Sequence, residues 1–216
     1  MTGDLRKSFP YDSFPHIELE LAANDVPELF GLLQRGFIVS EIRPGSSLAS
    51  FLTERLGLSH EYIHGHISTI FLDGMPVDDL DSAVIRKGAT LALSSALPGL
   101  VGATMRQGGA LASLRNSITY RATAADLGDS SDGDIFLHLK LFNIVMHELG
   151  PSFLQQGVLV KRSELREFLD ARLDLLQKCG RILLDGRPVA AGKLSSESAF
   201  EGEGLIMLSI RANGGS

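Results

Sequence analysis

His60, Glu61 and His64 are spaced as in the H-E-x-x-H motif of zinc peptidases. In that motif two histidines one helical turn apart bind the metal, and the glutamate serves as the base. The motif belongs inside a long helix, whereas this match is enclosed by Gly57 and Gly65. The further ligands of the known forms of the motif are missing at their usual spacing. We therefore expect a chance match, and a zinc-dependent hydrolase ranks last of three alternatives for the function.

Three histidines, His60, His64 and His66, are close enough in sequence to capture a divalent ion without any catalytic purpose, because neutral imidazole binds such ions. The next glutamate after this cluster is Glu148, which is far along the chain. Cys179 has Lys178 as its one close Lys or His neighbour and is expected to be a half-buried structural thiol. No cofactor and no catalytic residue are predicted.

The elements that would position these side chains occur twice. Ser47–Leu56 recurs as Glu164–Leu173, with Leu, Phe, Leu, Arg and Leu at the same spacing. Ile70–Val77 recurs as Ile182–Val189, and both carry Leu-Asp-Gly-x-Pro-Val. Because the two matches come in the same order, the chain is predicted to hold two copies of one small domain.

Each copy is predicted to contain the same series of elements. An alternating strand opens the copy, and a short apolar stretch leads to a second strand. A helix with one apolar stripe then crosses the sheet, an Asp-Gly hairpin follows, and a last strand closes the copy. In the first copy the strands are 17–21, 36–39 and 90–94, the hairpin is at Asp73-Gly74, and the helix stripe consists of Leu48, Phe51, Leu52 and Leu56. In the second copy the strands are 135–139, 157–160 and 205–210, the hairpin is at Asp185-Gly186, and the stripe consists of Leu165, Phe168, Leu169 and Leu173.

The repeated Leu-Asp-Gly-x-Pro-Val, the closing strand Lys87–Leu93 and the run Leu139–Phe142 resemble the ubiquitin-like sulfur carriers. This is the family of the molybdopterin-synthase small subunit and the thiamin sulfur carrier. The resemblance implies an α+β fold with two tandem β-grasp units, each a mixed sheet crossed by one helix. The first unit is predicted at 14–96 and the second at 134–213, with a segment at 97–133 between them.

The resemblance also draws attention to Gly214 and Gly215. Sulfur carriers end in a free Gly-Gly, whose carboxylate is activated with ATP and converted to a thiocarboxylate. Glycine suits that tail because a Cβ would obstruct its passage through a narrow channel. Ser216 follows the pair in this chain and would have to be removed first. A carrier with a thiocarboxylate on Gly215 is therefore the second alternative.

The segment at 97–133 has two parts of different composition. The first is rich in glycine and yet apolar, and Leu97, Leu100, Val101 and Met105 are its candidate interaction residues. Monomers seldom leave so much apolar area in water, so it either packs between the two units or is covered by another protein. The acidic part, 124–134, reads as a flexible linker.

Composition limits the classes of partner. The net charge of −6 gives no basic field for a phosphate backbone, so nucleic acid is not expected. No apolar run is long enough to span a membrane, and the N-terminus shows no secretory signal. A single cysteine suits a reducing cytoplasm. The sequence therefore predicts a cytoplasmic, non-enzymatic protein that acts through protein contacts, with an activating or sulfur-transfer enzyme as the partner that the resemblance implies.

Overall fold

The computed structural model describes residues 13–115, 117–122 and 135–213. They form a mixed α+β structure around one ten-stranded sheet, which confirms the predicted class. The strands are β1 (His16–Ala22), β2 (Phe37–Ile42), β3 (Thr69–Leu72), β4 (Met75–Pro76), β5 (Thr90–Ser94), β6 (Ile135–Phe142), β7 (Val158–Lys161), β8 (Arg181–Leu184), β9 (Arg187–Pro188) and β10 (Leu205–Asn213). The α-helices are α1 (Phe30–Arg35), α2 (Leu48–Ser50), α3 (His60–His66), α4 (Gly99–Met105), α5 (Asn143–Gln156), α6 (Arg162–Asp170) and α7 (Leu173–Lys178).

The sheet order is β4-β3-β5-β6-β2-β7-β10-β1-β8-β9. Two pairs of neighbours are parallel, β5 with β6 and β1 with β10, and the other pairs are antiparallel. β2 and β7 meet at the centre and join the two halves of the sheet. The outermost strands, β4 and β9, are two residues long and each contains a proline. Short strands with proline protect a sheet edge against pairing with other chains.

The first strand of each repeat lies in the half of the sheet that is built mainly by the other repeat. β1 pairs with β10 and β8, whereas β6 pairs with β5 and β2. The sequence predicted that each repeat would supply the whole of its own sheet, and this expectation is corrected. We refer to the arrangement as the strand exchange.

The reason for the strand exchange lies in the connections after β1 and β6. The apolar stretches that follow them are helical: a 3₁₀ helix, Ala23–Leu29, leads into α1, and α5 follows β6 directly. A helix of 14 residues such as α5 is about 21 Å long, so it carries the chain away instead of turning it back into a hairpin. α1 and α5 pack closely, because a Cβ on Gly150 would lie 2.8 Å from Leu33 Cδ1.

The two halves also differ in strand order. β5, the last strand of the first repeat, lies next to β3, but β10, the last strand of the second, lies next to β7 and not next to β8. β1 takes the place beside β8. The expected superposition of the two repeats with one common strand order is therefore wrong.

The apolar stripe of the crossing helix is buried in the first repeat as predicted, at Leu48, Phe51, Leu52 and Leu56. A π-helical turn, Phe51–Arg55, continues α2. In the second repeat Leu165, Phe168 and Leu169 are buried, but Leu173 is 49% exposed. The expectation for Leu173 is wrong because α6 ends at Asp170 and the chain restarts in α7.

Both Asp-Gly hairpins have the predicted backbone. Asp73 and Gly74 have φ of 50° and 78°, and Asp185 and Gly186 have φ of 49° and 75°. Two successive positive φ values fit the tight turn that joins twisted antiparallel strands. Within the part of the chain that the structure describes, no helix is long and apolar enough to cross a bilayer.

Candidate interaction site

A groove lies on the outward face of the first half of the sheet, opposite to the buried side chains of β6. Side chains alternate along β6, where Ile135, Leu137, Leu139 and Leu141 are buried in the core and the residues between them face outward. The groove has a volume of about 420 Å³. It is lined by Phe71, Gly74, Thr90, Ala92, Ser94, Leu97, Lys140, Phe142 and Asn143. We call it the open-face groove.

Several large apolar side chains are exposed in the segment after β5 and at the start of α5. Leu100 and Val101 on α4 are 72% and 69% exposed, and Leu114 is 71% exposed. Ile118 and Ile144 are 49% and 59% exposed. Of the residues predicted as an interaction surface, Leu100 and Val101 are therefore in water, Leu97 lines the groove, and Met105 is half-buried.

The glycine-rich segment is held against the body of the protein by Arg115. Its guanidinium forms two hydrogen bonds with the Asp78 carboxylate, at 2.7 and 2.9 Å. Its Nε donates to the carbonyl of Thr104 at 2.6 Å, and further bonds reach Arg106 O and Thr119 Oγ1. Arg115 is almost fully buried, and these partners satisfy it. The segment is therefore anchored by one buried arginine, while Leu100, Val101 and Leu114 remain exposed.

Polar side chains are buried where this segment meets the sheet. Thr69 on β3 is fully buried, and its hydroxyl has no hydrogen-bond partner. Its cross-strand neighbour Ser94 accepts a hydrogen bond from Asn143 Nδ2 at 2.9 Å. The Ser95 hydroxyl accepts one from the backbone N–H of Ile144. These contacts fix the start of α5 against the end of β5.

The histidines of the H-E-x-x-H match lie on α3, a helix of seven residues capped by Ser59. His66 Nδ1 lies 3.0 Å from both carboxylate oxygens of Glu148. The Tyr62 hydroxyl donates to the same carboxylate at 2.7 Å. Burial, and then this hydrogen bond, raise the pKa of Tyr62.

Within the described ranges, no group of three or more His, Cys, Asp or Glu side chains could hold a metal ion. His60, His64 and His66 do not form such a group, and metal capture by them stays a prediction. Seven residues are too few for the long helix in which the zinc-peptidase motif works.

Two other potentially reactive groups, Cys179 and the pair of His16 with Ser209, have structural roles. Cys179 is half-buried as predicted, and burial followed by the Asp25 charge raises its pKa to about 11, so the thiol stays protonated at neutral pH. His16 Nε2 lies 2.7 Å from Ser209 Oγ, a pair that the sequence did not indicate. Ser209 is only 6% exposed, so a substrate could not reach its hydroxyl. The pair joins β1 to β10.

The carrier tail lies outside the described residues, as does the linker at 124–134. β10 extends to Asn213 and not just to Ile210, because parallel pairing with β1 continues as far as Ala22. The sequence missed the groove itself, since Phe71 and Phe142 appear there as ordinary strand residues. The two-residue alternation around them was the available signal, because it assigns both side chains to one face.

No protein family, curated protein or solved structure matches this chain.

Proposed function

We propose that this chain is a non-enzymatic adaptor built from two β-grasp units with exchanged strands. In each half, a parallel central pair of strands has antiparallel neighbours on both sides, and a helix crosses the sheet. This arrangement supports the β-grasp interpretation. The resemblance to sulfur carriers makes an activating or sulfur-transfer enzyme the partner class of first choice.

The docking face of the adaptor consists of Leu100, Val101, Leu114, Ile118 and Ile144. One observation carries the proposal: these five are among six large apolar side chains that are exposed in the described residues. The sixth, Leu173, belongs to the helix break of the second repeat. α4 packs against the 3₁₀ turn Ala112–Arg115, which carries Leu114. A contiguous exposed apolar patch typically marks a surface that another protein covers.

The test changes α4 without touching the core. The double variant Leu100→Asp/Val101→Asp places two charges in the docking face, and Leu173→Asp is a matched control at an exposed leucine elsewhere. Each protein is cross-linked in an extract of its native host, and the cross-linked partner is quantified by mass spectrometry. The double variant should recover about tenfold less of the partner than wild type, equivalent to a loss of about 1.4 kcal/mol. Equal recovery by all three proteins would refute the docking face.

The sulfur-carrier alternative stays a prediction, because Gly214 and Gly215 are outside the described residues. Its test is an intact mass. A chain ending at Gly215 should gain about 16 Da with an activating enzyme, ATP and a sulfur donor, as sulfur replaces one oxygen. The chain ending at Ser216 should keep its mass. An unchanged mass for both would leave the adaptor as the function.

A further inference from the structure

The open-face groove has the size of a small-molecule site. Such sites enclose about 300–1,000 Å³ and have mostly apolar walls with a few polar groups. This groove encloses about 420 Å³. Its walls include two phenylalanine rings, Phe71 on β3 and Phe142 on β6.

The strand register explains why a depression exists here. Phe71 on β3, Ala92 on β5 and Lys140 on β6 are neighbours in one row across the sheet. The small side chain of Ala92 lies between two long ones, so the middle of the row is low. Leu97 closes one end, and the turn at Gly74 lies at the other. The groove is therefore short, and suits a compact apolar body better than an extended peptide.

The charge at the groove is positive. Lys140 is the charged residue among those that line it, and its ammonium has no ion-pair partner within the described part of the chain. Asp73, the carboxylate next to Gly74, is already paired with Arg86 at 3.0 Å. α5 begins at the groove with Asn143, and its N-terminus adds a partial positive charge.

We propose that the open-face groove binds a small apolar carboxylate. The apolar body would lie over Ala92 between the two phenylalanine rings, where burial from water favours it. The carboxylate would pair with the Lys140 ammonium, which has no anionic partner among the described residues. This ligand site is independent of the docking face, because its key residues are Ala92 and Lys140 and not those of α4.

The probe is 4-phenylbutyrate, and its uncharged analogue 4-phenylbutan-1-ol is the reference compound. Both are titrated into the full chain labelled with ¹⁵N, and amide shifts are followed by NMR. We expect saturable shifts at residues 71, 92 and 142, with the acid bound about fivefold more tightly than the alcohol, the effect of a partly exposed ion pair.

Variants assign the contributions of charge and shape. Lys140→Met should remove the preference for the acid while both compounds still bind, whereas Lys161→Met, at a lysine of β7, should retain it. Ala92→Phe should fill the groove and abolish both sets of shifts, with the rest of the spectrum unchanged as evidence of folding. Absence of saturable shifts in wild type would overturn the proposal, as would an unaltered acid preference in Lys140→Met. Shifts confined to α4 would also overturn it, and would indicate that the docking face alone binds apolar groups.

Discussion

Arg115 is a charged side chain that folding removes almost completely from water. Burying a charge is costly unless it is paired and its hydrogen-bonding groups are satisfied. Here the Asp78 carboxylate supplies the opposite charge, and two backbone carbonyls accept further bonds. The pair stabilises one position of a segment whose glycines would otherwise permit many.

Replacing Asp78 with Asn should therefore destabilise the protein by about 3 kcal/mol, because Arg115 would be left buried without its counter-charge. Amides in 97–115 should also exchange faster with deuterium. Chemical denaturation and hydrogen exchange measure the two effects. Asp79→Asn is the control, since Asp79 is exposed and, among the described residues, its side chain accepts hydrogen bonds from the backbone N–H groups of the local turn at Asp81 and Ser82. Equal stability of the two variants would contradict the role of the pair.

Thr69 illustrates the opposite case, a buried hydroxyl without a partner. Thr69→Val should stabilise the protein by about 1 kcal/mol, because it removes an unsatisfied polar group and keeps the shape of the side chain. Thr53→Val is the comparison, since the Thr53 hydroxyl donates to Ala49 O at 2.9 Å and its loss should destabilise. Midpoints of urea denaturation distinguish the two. A loss of stability in Thr69→Val would indicate a hydrogen bond at this site.

At the scale of elements, α4 depends on a glycine that packs against backbone. A Cβ on Gly102 would lie 2.0 Å from the carbonyl oxygen of Leu97, which cannot be tolerated without movement. The expected result of Gly102→Ala is displacement of α4 and faster hydrogen exchange across 97–108. Gly65→Ala in α3 is the matched control: its Cβ meets nothing within 4 Å, so it should stabilise by up to about 1 kcal/mol. Unchanged exchange in Gly102→Ala would show that α4 does not pack in this way.

The sequence predicts elements well where their signals are local. Asp73-Gly74 and Asp185-Gly186 predict their turns because Asp-Gly readily adopts the two positive φ values that such a turn needs. The spacing of the apolar residues from Leu48 to Leu56 likewise predicts the crossing helix. The helices after β1 and β6 were missed, because Pro27 and Pro151 lie inside them and proline is unfavourable in a helix interior. In α5 the exposed Ile144 and the buried Gly150 also weaken the contrast between its two faces.

The strand exchange was not predictable from spacing, because partner choice between similar strands depends on where the connecting helices lead. The same limit applies to the candidate site. Leu100 and Val101 could be proposed from the sequence because they belong to one short apolar segment. The groove could not, because its lining comes from three strands that are distant in sequence.

At the scale of the whole molecule, the strand exchange makes each half depend on the other. On the outward face of the second half, β1 and β10 carry polar pairs such as Glu18 with Arg211 and Glu20 with Asn213, and the apolar Leu159 and Met207 are already buried in a small cluster with Ile38. Binding is therefore expected at the first half, whose outward face is apolar at the groove. The second half obtains its strand β1 from the first repeat, as the first half obtains β6 from the second.

This dependence predicts cooperative unfolding. Phe51→Ala or Phe168→Ala should each cost about 3–5 kcal/mol, because each removes a large buried ring from a crossing helix. Since the halves share strands, either variant should lower hydrogen-exchange protection in both β3 and β8. Protection lost only in the half that carries the substitution would mean that the halves unfold independently.

The strand exchange is tested most directly by backbone NOEs in the full chain labelled with ¹³C and ¹⁵N. We predict interstrand NOEs between β1 and β10 around Ile17 and Leu208, and between β2 and β6 around Val39 and Leu137. NOEs that instead pair β1 with β2 or β5, within the first repeat, would contradict the strand exchange.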